Sequence, residues 1–137
     1  MINNYKDSYR GTVVLITGGA GAIGSNLTRE LAVRGAKEVI VLDDLSSSEK
    51  WNIPDESTVT FIEGSVLNSE LLREAFQKRP RFIFHLAAFF ANQNSVDHPE
   101  EDLSVNGLGT LKVLQASRDA GVERFIYASS GCSIYGS

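Results

Sequence analysis

The stretch that decides the fold reads Thr12-Val-Val-Leu-Ile-Thr-Gly-Gly-Ala-Gly-Ala-Ile-Gly24, an apolar and β-branched run followed at once by glycines. The run from 12 to 17 is typical of a buried strand. Ile23, Leu27 and Leu31 then recur at four-residue spacing, which predicts an amphipathic helix that ends at Gly35. A strand, a glycine-rich turn and a helix therefore open the folded part of the chain.

The same alternation continues outward from this opening unit to residue 128. Short apolar runs predict further strands over 38–43, 59–62, 81–85 and 123–128. Helical patterns predict a helix over 67–77, with Asn68 or Ser69 as its cap, and a long helix from about 99 to 120. The polar connection over 44–57 contains three consecutive serines and Pro54, and we expect at most a short helix in it.

This alternation predicts right-handed crossovers and a parallel sheet with helices on both faces. We therefore assign the chain to the α/β class, as a Rossmann-like doubly wound sheet of about five strands in the order 3-2-1-4-5. The leucines at 103, 108, 111 and 114 are expected on the apolar side of the long helix. Because little chain follows the fifth strand, we expect the C-terminal part of the sheet to be missing.

The composition fits one soluble domain. The 137 residues have room for one hydrophobic core, and 42% hydrophobic with 22% charged residues excludes a disordered chain. A net charge of -4 argues against a nucleic-acid partner. One cysteine excludes an internal disulfide and fits a cytoplasmic location. The polar start, which we expect to be a loosely ordered lead-in over 1–11, is no secretory signal, and no apolar stretch approaches the ~20 residues of a membrane span.

Three glycines of the opening turn follow a G-x-x-G-x-x-G spacing. Gly18 allows a tight turn, Gly21 lets backbone amides approach a pyrophosphate, and Gly24 lets the helix pack close to the sheet. The amides and the positive dipole end of the helix would then face the phosphates. The alternative is a glycine-rich turn with only a structural role. The strand-turn-helix context favours a dinucleotide ligand.

An acidic residue follows at the end of the second predicted strand. Asp43 comes nineteen residues after Gly24, close to the spacing at which an acid binds the adenosine ribose hydroxyls. A carboxylate there would repel a 2′-phosphate, which favours NAD over NADP. The alternative is that Asp43 and Asp44 only cap or solvate a turn. Of the two, Asp43 is the better ribose ligand because it ends the strand, and Asp44 is expected to face solvent.

The two histidines and the two phenylalanines after the fourth predicted strand have simpler interpretations. His85 ends the fourth predicted strand, where a packed, hydrogen-bonded structural role is expected. His98 precedes Pro99 at a helix start and is expected to be exposed. Neither has a second ligand at metal-binding spacing, so no metal site is expected. Phe89 and Phe90 are expected in the core, with a place in a substrate cleft as the alternative.

Six further segments have a recognisable order and spacing: Leu42-Asp-Asp-Leu-Ser46, His85-Leu-Ala-Ala88, Ser95-Val-x-x-Pro99, Asn106-x-x-Gly-Thr110, Arg124-Phe-Ile-Tyr-Ala-Ser-Ser130 and Tyr135-Gly136. Together with the glycine turn, they resemble the extended short-chain dehydrogenase/reductase family, in particular its NAD-dependent sugar-nucleotide epimerase and dehydratase branch. The resemblance covers almost everything from 12 to 136. It implies that 12–137 is an incomplete NAD-binding Rossmann domain and that the substrate domain is absent.

The resemblance also implies which residues bind the NAD cofactor. These are Gly18, Gly21, Ala22, Ile23, Gly24, Asp43, Asp44, Leu45, Ser65, Val66, Leu86, Ala87, Ala88, Asn106 and Ser129. Asn106 is similar to a family asparagine that supports the active-site architecture. The resemblance further implies a nucleotide-sugar substrate and homodimerisation through the long helix.

Two positions depart from the family pattern. After the third strand the family usually has an aspartate that contacts the adenine amine, and Ser65 stands there instead, which leaves the contact to the Val66 backbone or weakens it. Four residues before Tyr135 the family has an active-site serine or threonine, and this chain has Gly131. Ser130 or Ser133 would serve as the catalytic hydroxyl instead.

The family's catalytic Tyr-x-x-x-Lys, whose tyrosine is the general base, occurs nowhere in the 137 residues. We therefore interpret the chain as the NAD-binding portion of a sugar-nucleotide epimerase or dehydratase that works by transient hydride transfer to bound NAD+. Alone, it is expected to bind NAD and not to turn over a sugar. Two alternatives stay open: an NAD(P)-dependent carbonyl reductase of the same fold, and a non-catalytic NAD-binding module.

Overall fold

The computed structural model describes residues 8–89 and 92–130 and places five strands in one parallel sheet. The strands are β1 (Val13–Thr17), β2 (Glu38–Asp43), β3 (Val59–Glu63), β4 (Phe82–His85) and β5 (Arg124–Tyr127). Their order is β3-β2-β1-β4-β5, which confirms the predicted doubly wound sheet. The order reverses at β1, which pairs with β2 on one side and with β4 on the other.

Helices connect the strands, with one short 3-10 turn in the connection between β2 and β3. They are α1 (Ala22–Val33), the 3-10 turn (Lys50–Asn52), α2 (Ser69–Gln77), α3 (Asn92–Asp97), α4 (Pro99–Asp102), a π-helical segment (Leu103–Gly109) and α5 (Thr110–Asp119). Asn68 caps α2, because its side chain accepts hydrogen bonds from the Glu70 and Leu71 amides. In the described part of the chain, no helix is long and apolar enough to cross a membrane.

The hydrophobic core lies on both faces of the sheet because alternate residues of a strand point to opposite sides. On one face, Leu15, Ile40 and Ile83 pack with residues of α2 and with Val113 of α5. On the other face, the fully buried Val14, Ile16 and Val39 pack with Leu31 of α1. Each fully buried aliphatic side chain of this kind stabilises the fold by about 1.5–3 kcal/mol. The central strands are therefore the most firmly held part of the molecule.

The expectation of a loosely ordered lead-in is wrong for its last residues. The Tyr9 ring packs edge-on against Phe82, with ring centroids 5.2 Å apart. The Gly11 amide donates to the Gly35 carbonyl at 2.8 Å, and Thr12 bonds back to Tyr9. An aromatic ring packed on the sheet and two backbone bonds tie this segment to the domain.

The expectation of one uninterrupted helix over 99–120 is also wrong. Helix α4 gives way at Leu103 to a π-helical segment, and regular α-helix resumes only at Thr110. A π-helical turn holds more residues than an α-helical turn, and such turns are rare and frequent at functional sites. Residues before and after Leu103–Gly109 therefore do not continue one α-helical stripe.

The leucines of this region do not face the core, contrary to expectation. Their exposed fractions are 71% for Leu103, 48% for Leu108, 50% for Leu111 and 43% for Leu114. The buried residues here are Gly109, which ends the π-helical segment, and Val113 and Ser117 of α5, at four-residue spacing. No side chain fits at Gly109, because a Cβ there would approach Cγ2 of Val66, in the loop after β3, to 2.7 Å.

Candidate functional site

A cleft of ≈ 940 Å³ opens at the carboxyl ends of the strands, beside the point where the strand order reverses. This is the edge at which open α/β sheets bind ligands. Of the predicted cofactor residues, the ones that line this cleft are Gly18, Gly21, Ala22, Ile23, Gly24, Asp43, Asp44, Ser65, Val66, Leu86, Ala87 and Ala88. The structure thus brings together residues from four separate segments of the chain.

Two of the three turn glycines are required by the packing of the protein itself. Gly18 has a φ of +71°, and a Cβ there would lie 2.6 Å from the Ala87 backbone nitrogen. A Cβ at Gly24 would overlap the Gly18 carbonyl oxygen and lie 2.6 Å from Gly19 Cα. Any larger residue would therefore push α1 away from the turn and β1 away from the 87–89 loop.

Gly21 differs from both, because the fold leaves room for a side chain there. Its φ is -68°, which any residue adopts, and a Cβ would meet only the Gly18 carbonyl oxygen at an ordinary 3.4 Å. Gly21 also lines the cleft. A side chain at Gly21 would therefore occupy cleft space that is available to a ligand.

The N-terminus of α1 lies at this same wall of the cleft. Gly21 is its N-cap residue, and no side chain caps the helix. The first backbone N–H groups of a helix lack intrahelical acceptors, and the helix dipole adds a partial positive charge. Ile23, in the first turn, is 74% exposed. An uncapped helix end beside glycines is the arrangement that suits an anionic group such as a pyrophosphate.

Asp43 lies opposite the glycine turn, at the end of β2, and only 9% of it is exposed. Its Oδ2 accepts a hydrogen bond from the Ala20 amide at 2.9 Å. Its Oδ1 accepts from the Leu45 amide and from Ser48 Oγ, both at 2.9 Å. An ionised carboxylate has about four acceptor positions, so these three bonds leave one on Oδ2. Asp43 therefore holds the turn in place and keeps one acceptor position open.

The neighbours of Asp43 have other positions. Asp44 is exposed, and its Oδ1 accepts from the Ser46 amide at 3.0 Å. This is the turn-capping role given above as the alternative for Asp43 and Asp44. Leu45 has a φ of 58°, and its backbone amide holds Asp43 while its side chain lies outside the cleft wall. Ser65, where the family usually has an aspartate, accepts from the Leu67 amide at 3.2 Å.

His85 is buried beneath the cleft and lies between two threonines. Its Nδ1 is 2.6 Å from Thr17 Oγ1, and its Nε2 is 2.8 Å from Thr110 Oγ1. The Thr17 hydroxyl also accepts from the Ala87 amide at 3.3 Å. Burial lowers the pKa of His85 to about 4, so the ring is neutral at pH 7. The packed, hydrogen-bonded position is the one expected from the sequence.

Asn106 supports the loop that follows β4. Its Oδ1 accepts from the Phe89 amide at 2.9 Å, and its Nδ2 donates to the Phe89 carbonyl at 3.1 Å. Nδ2 also donates to Asp102 Oδ1 at 2.6 Å. The carboxamide thus holds both backbone groups of Phe89, and it lies outside the cleft wall. The supporting role implied by the resemblance fits this position better than a direct cofactor contact.

The C-terminal candidates lie at the far end of the described chain. Strand β5 ends at Tyr127, two residues before Ser129, and Ser129 and Ser130 are exposed. Ala128 lines the cleft, and its amide donates to the His85 carbonyl at 3.2 Å. Ser133 lies outside the described residues, so the structure does not place this second candidate hydroxyl.

Several residues of the cleft wall were missed by sequence reasoning. They are Ser46, Ser47, Ser48, Glu100, Glu101, Ser104 and Val105. The serines follow Asp43 directly, and this proximity could have indicated them. The others belong to α4 and the π-helical segment, which share this cleft wall with Ser65 and Val66 of the loop after β3, and no local pattern indicates that. Phe89, expected in the core, is half-buried and lines the cleft, whereas Phe90 lies outside the described residues.

Comparisons with known proteins agree with this arrangement. The family model of the NAD dependent epimerase/dehydratase family matches residues 14–137. UDP-glucose 4-epimerase of Mycolicibacterium smegmatis is 38% identical over 125 residues, which are 89% of this chain and 40% of that protein.

Two solved structures are similar as well. An epimerase of Methanothermobacter thermautotrophicus is 58% identical, with a TM-score of 0.93 over 96% of this chain and 39% of that one. The Thermus thermophilus UDP-glucose 4-epimerase, solved in complex with NAD, is 41% identical, with a TM-score of 0.81 over 87% of this chain and 38% of that one. The chain therefore spans about two fifths of the length of these relatives. With a family model matched over nearly all of its length, the chain belongs to the NAD-dependent epimerase/dehydratase family.

Proposed function

We propose that this chain is the NAD-binding portion of an enzyme that epimerises or dehydrates a nucleotide sugar by transient hydride transfer to bound NAD+. The observation that carries the proposal is that one cleft joins two complementary groups. An uncapped, glycine-lined helix N-terminus forms one wall, and Asp43, with an open acceptor position, forms another. A dinucleotide needs both, since its pyrophosphate is anionic and its ribose hydroxyls are donors.

The residues present fit the cofactor along the length of the cleft. The backbone of 18 and 21–24 would hold the pyrophosphate, and Asp43 the adenosine ribose. Ser65 and Val66 would lie at the adenine, and Ala87, Ala88 and Ser129 towards the nicotinamide. The chemistry that the bound cofactor supplies is reversible acceptance of a hydride. The residues of this chain would bind the cofactor and orient it. We propose Ser130 or Ser133 as the catalytic hydroxyl, with Asn106 in a supporting position.

The charge of the cleft supports NAD over NADP. Asp43 would repel a 2′-phosphate, and among the residues that line the described cleft there is no lysine or arginine to offset it. NADPH-dependent carbonyl reduction is correspondingly disfavoured. The absence of Tyr-x-x-x-Lys from the 137 residues favours a binding role without turnover for this polypeptide by itself.

The substrate and partner proposals rest on the relatives and on composition. The M. smegmatis relative is named for UDP-glucose, so we propose a nucleotide sugar as the substrate class. The exposed leucines of α5 support a homodimer contact on that face. A single cysteine supports a reducing compartment such as the cytoplasm.

Gly21→Ala tests the proposal, because this substitution fills cleft space that the fold leaves open. We expect the unliganded melting temperature to fall only slightly, because alanine is a poorer N-cap residue than glycine. The NAD+ affinity, measured by calorimetry, should fall about ten-fold or more as the amides lose their approach to the phosphates. Gly107→Ala is the control, because Gly107 does not line the cleft, and this variant should bind NAD+ like the wild type. A wild-type chain without NAD+ affinity would overturn the proposal, and full affinity in Gly21→Ala would overturn the placement of the pyrophosphate.

A further inference from the structure

We propose that Asn52, in the connection between β2 and β3, is a positioning residue that holds the glycine turn in its phosphate-binding conformation. The inference rests on the proposed function, since it concerns the affinity for the pyrophosphate of NAD+. Asn52 lies outside the cleft wall and acts through Ala20, which is completely buried.

Ala20 is held from two sides. Its amide donates to Asp43 Oδ2 at 2.9 Å, and its carbonyl accepts from Asn52 Nδ2 at 3.0 Å. The next amide, that of Gly21, donates to the Gly18 carbonyl at 3.3 Å. The peptide group between Ala20 and Gly21 therefore directs its carbonyl at Asn52 and its N–H into the turn.

This orientation matters because the C=O and N–H of a trans peptide point in opposite directions. If the Ala20–Gly21 peptide group turned over, its carbonyl oxygen would face the Gly18 carbonyl and the phosphate side of the turn. An oxygen there would repel both that carbonyl and a pyrophosphate. Asn52 prevents this by donating a hydrogen bond to the buried Ala20 carbonyl. Within the described residues, no other donor to this carbonyl is seen.

Asn52 is itself fixed in place. It ends the 3-10 turn Lys50–Asn52, and its backbone N–H donates to the Glu49 carbonyl at 3.0 Å. Its backbone carbonyl accepts a hydrogen bond from Nη2 of Arg29, a residue of α1, at 2.8 Å. The bonds thus run from α1 through Arg29 to Asn52 and on to Ala20. The helix whose N-terminus would hold the phosphates also anchors the residue that shapes the turn before it.

Asn52→Asp is the decisive variant, because it keeps the shape of the side chain and replaces the donor with a charged acceptor. The control is Asn26→Asp, which makes the same chemical change in α1. Asn26 is exposed and donates to the Ala22 carbonyl at 2.8 Å, a carbonyl that the helix ladder also serves. Both variants bring one negative charge near the glycine turn, so their difference isolates the bond to Ala20.

Binding is measured with NAD+ by calorimetry and with adenosine, which lacks phosphates, by NMR titration. We expect Asn52→Asp to bind NAD+ about ten-fold more weakly, because a buried carbonyl loses its donor, and Asn26→Asp no more than about three-fold. Adenosine affinity should stay within about two-fold of wild type in both. This split between ligands separates a positioning role from a general loss of structure, which would weaken both ligands alike.

Each outcome has one meaning. A wild-type chain that binds no NAD+ overturns the proposed function, and this inference with it. A wild type that binds while Asn52→Asp binds equally well overturns this inference alone, and so does a loss of adenosine affinity as large as that of NAD+. If Asn52→Asp does not fold, Arg29→Ala replaces it, with an expected loss of about three-fold for NAD+ only; unchanged affinity there also overturns the inference.

Discussion

Asp43 and His85 occupy matching places in the sheet and are used in opposite ways. Each is the last residue of a strand that flanks β1, and each is buried. Asp43 takes its hydrogen bonds from the glycine turn and from residues 45 and 48 and still lines the cleft. His85 takes its hydrogen bonds from Thr17 and Thr110 and lies beneath the cleft.

The difference shows what a buried polar group at this edge needs in order to serve a ligand. A carboxylate can accept about four hydrogen bonds, so Asp43 stays satisfied by three protein donors and has a position left. A neutral imidazole has one donor and one acceptor, and the two threonine hydroxyls use both. His85 is therefore part of the support of the cleft, and Asp43 is part of its surface.

Removing the carboxylate should have the largest effect. In Asp43→Ala, the Ala20 and Leu45 amides lose their acceptor, and the cleft loses the proposed acceptor for the adenosine ribose. We expect the NAD+ affinity to fall by about 100-fold or more, as measured by calorimetry, together with a lower melting temperature. Asp44→Ala is the control: Asp44 also lines the cleft, but its exposed carboxylate accepts from the Ser46 amide and holds no residue of the glycine turn, so this variant should stay within about three-fold of wild type. Equal losses in the two variants would contradict the distinction between these neighbours.

Titrating His85 should have an intermediate effect, on stability. Its pKa is about 4 in the folded chain and near 6.5 when unfolded, so the unfolded state binds the proton first as the pH falls. The contribution of the neutral ring is fully present above pH 6.5 and is lost between about pH 6.5 and 4, by at most about 3 kcal/mol.

Urea unfolding of the wild type and of His85→Gln at pH 7, 5.5 and 4 measures this contribution. Carboxylates titrate in both proteins, so the informative quantity is the difference between the two unfolding free energies. We expect that difference to shrink as the pH falls. A constant difference across the three pH values would show that His85 is not buried as a neutral ring.

The smallest effect is expected for Thr110→Val, which removes only the hydroxyl bonded to His85 Nε2. The free energy of unfolding should fall by about 1 kcal/mol, and the NAD+ affinity of the folded chain should stay within about two-fold of wild type. Thr110→Ser, which retains the hydroxyl, should recover most of the stability. A ten-fold loss of NAD+ affinity in Thr110→Val would contradict the assignment of His85 to the support of the cleft.

The sheet and the glycine turn could be predicted because their signals are local. Strand β1 is an unbroken apolar run, and Gly18, Gly21 and Gly24 follow it directly. Each predicted strand lies within a residue or two of its position in the structure, and the order 3-2-1-4-5 is a common one for doubly wound sheets with this alternation. The position of Asp43 follows from the same rule, since the carboxyl ends of parallel strands share one edge.

The course of the chain between β4 and β5 could not be predicted in this way. A period of 3.6 residues assumes an uninterrupted α-helix, and the π-helical segment breaks that period at Leu103. The leucine stripe therefore pointed to the wrong face. Asn52 was missed for a different reason: one asparagine in a polar connection is unremarkable until the fold brings it to Ala20, 32 residues away in sequence.

The place of β1 at the centre of the sheet has a consequence for how the chain folds. The central strand is synthesised first among the five, yet its second edge is covered only by β4, and Thr17 meets His85 across 68 residues. Closing a loop of that length lowers the conformational entropy of the chain before any native contact stabilises it, so such long-range pairing is slow. Until it happens, β1 can pair only with β2, and the 87–89 wall of the cleft is not in place. We therefore expect the cleft to be assembled in a late folding step, and a ligand that fills it to stabilise the contacts that form last.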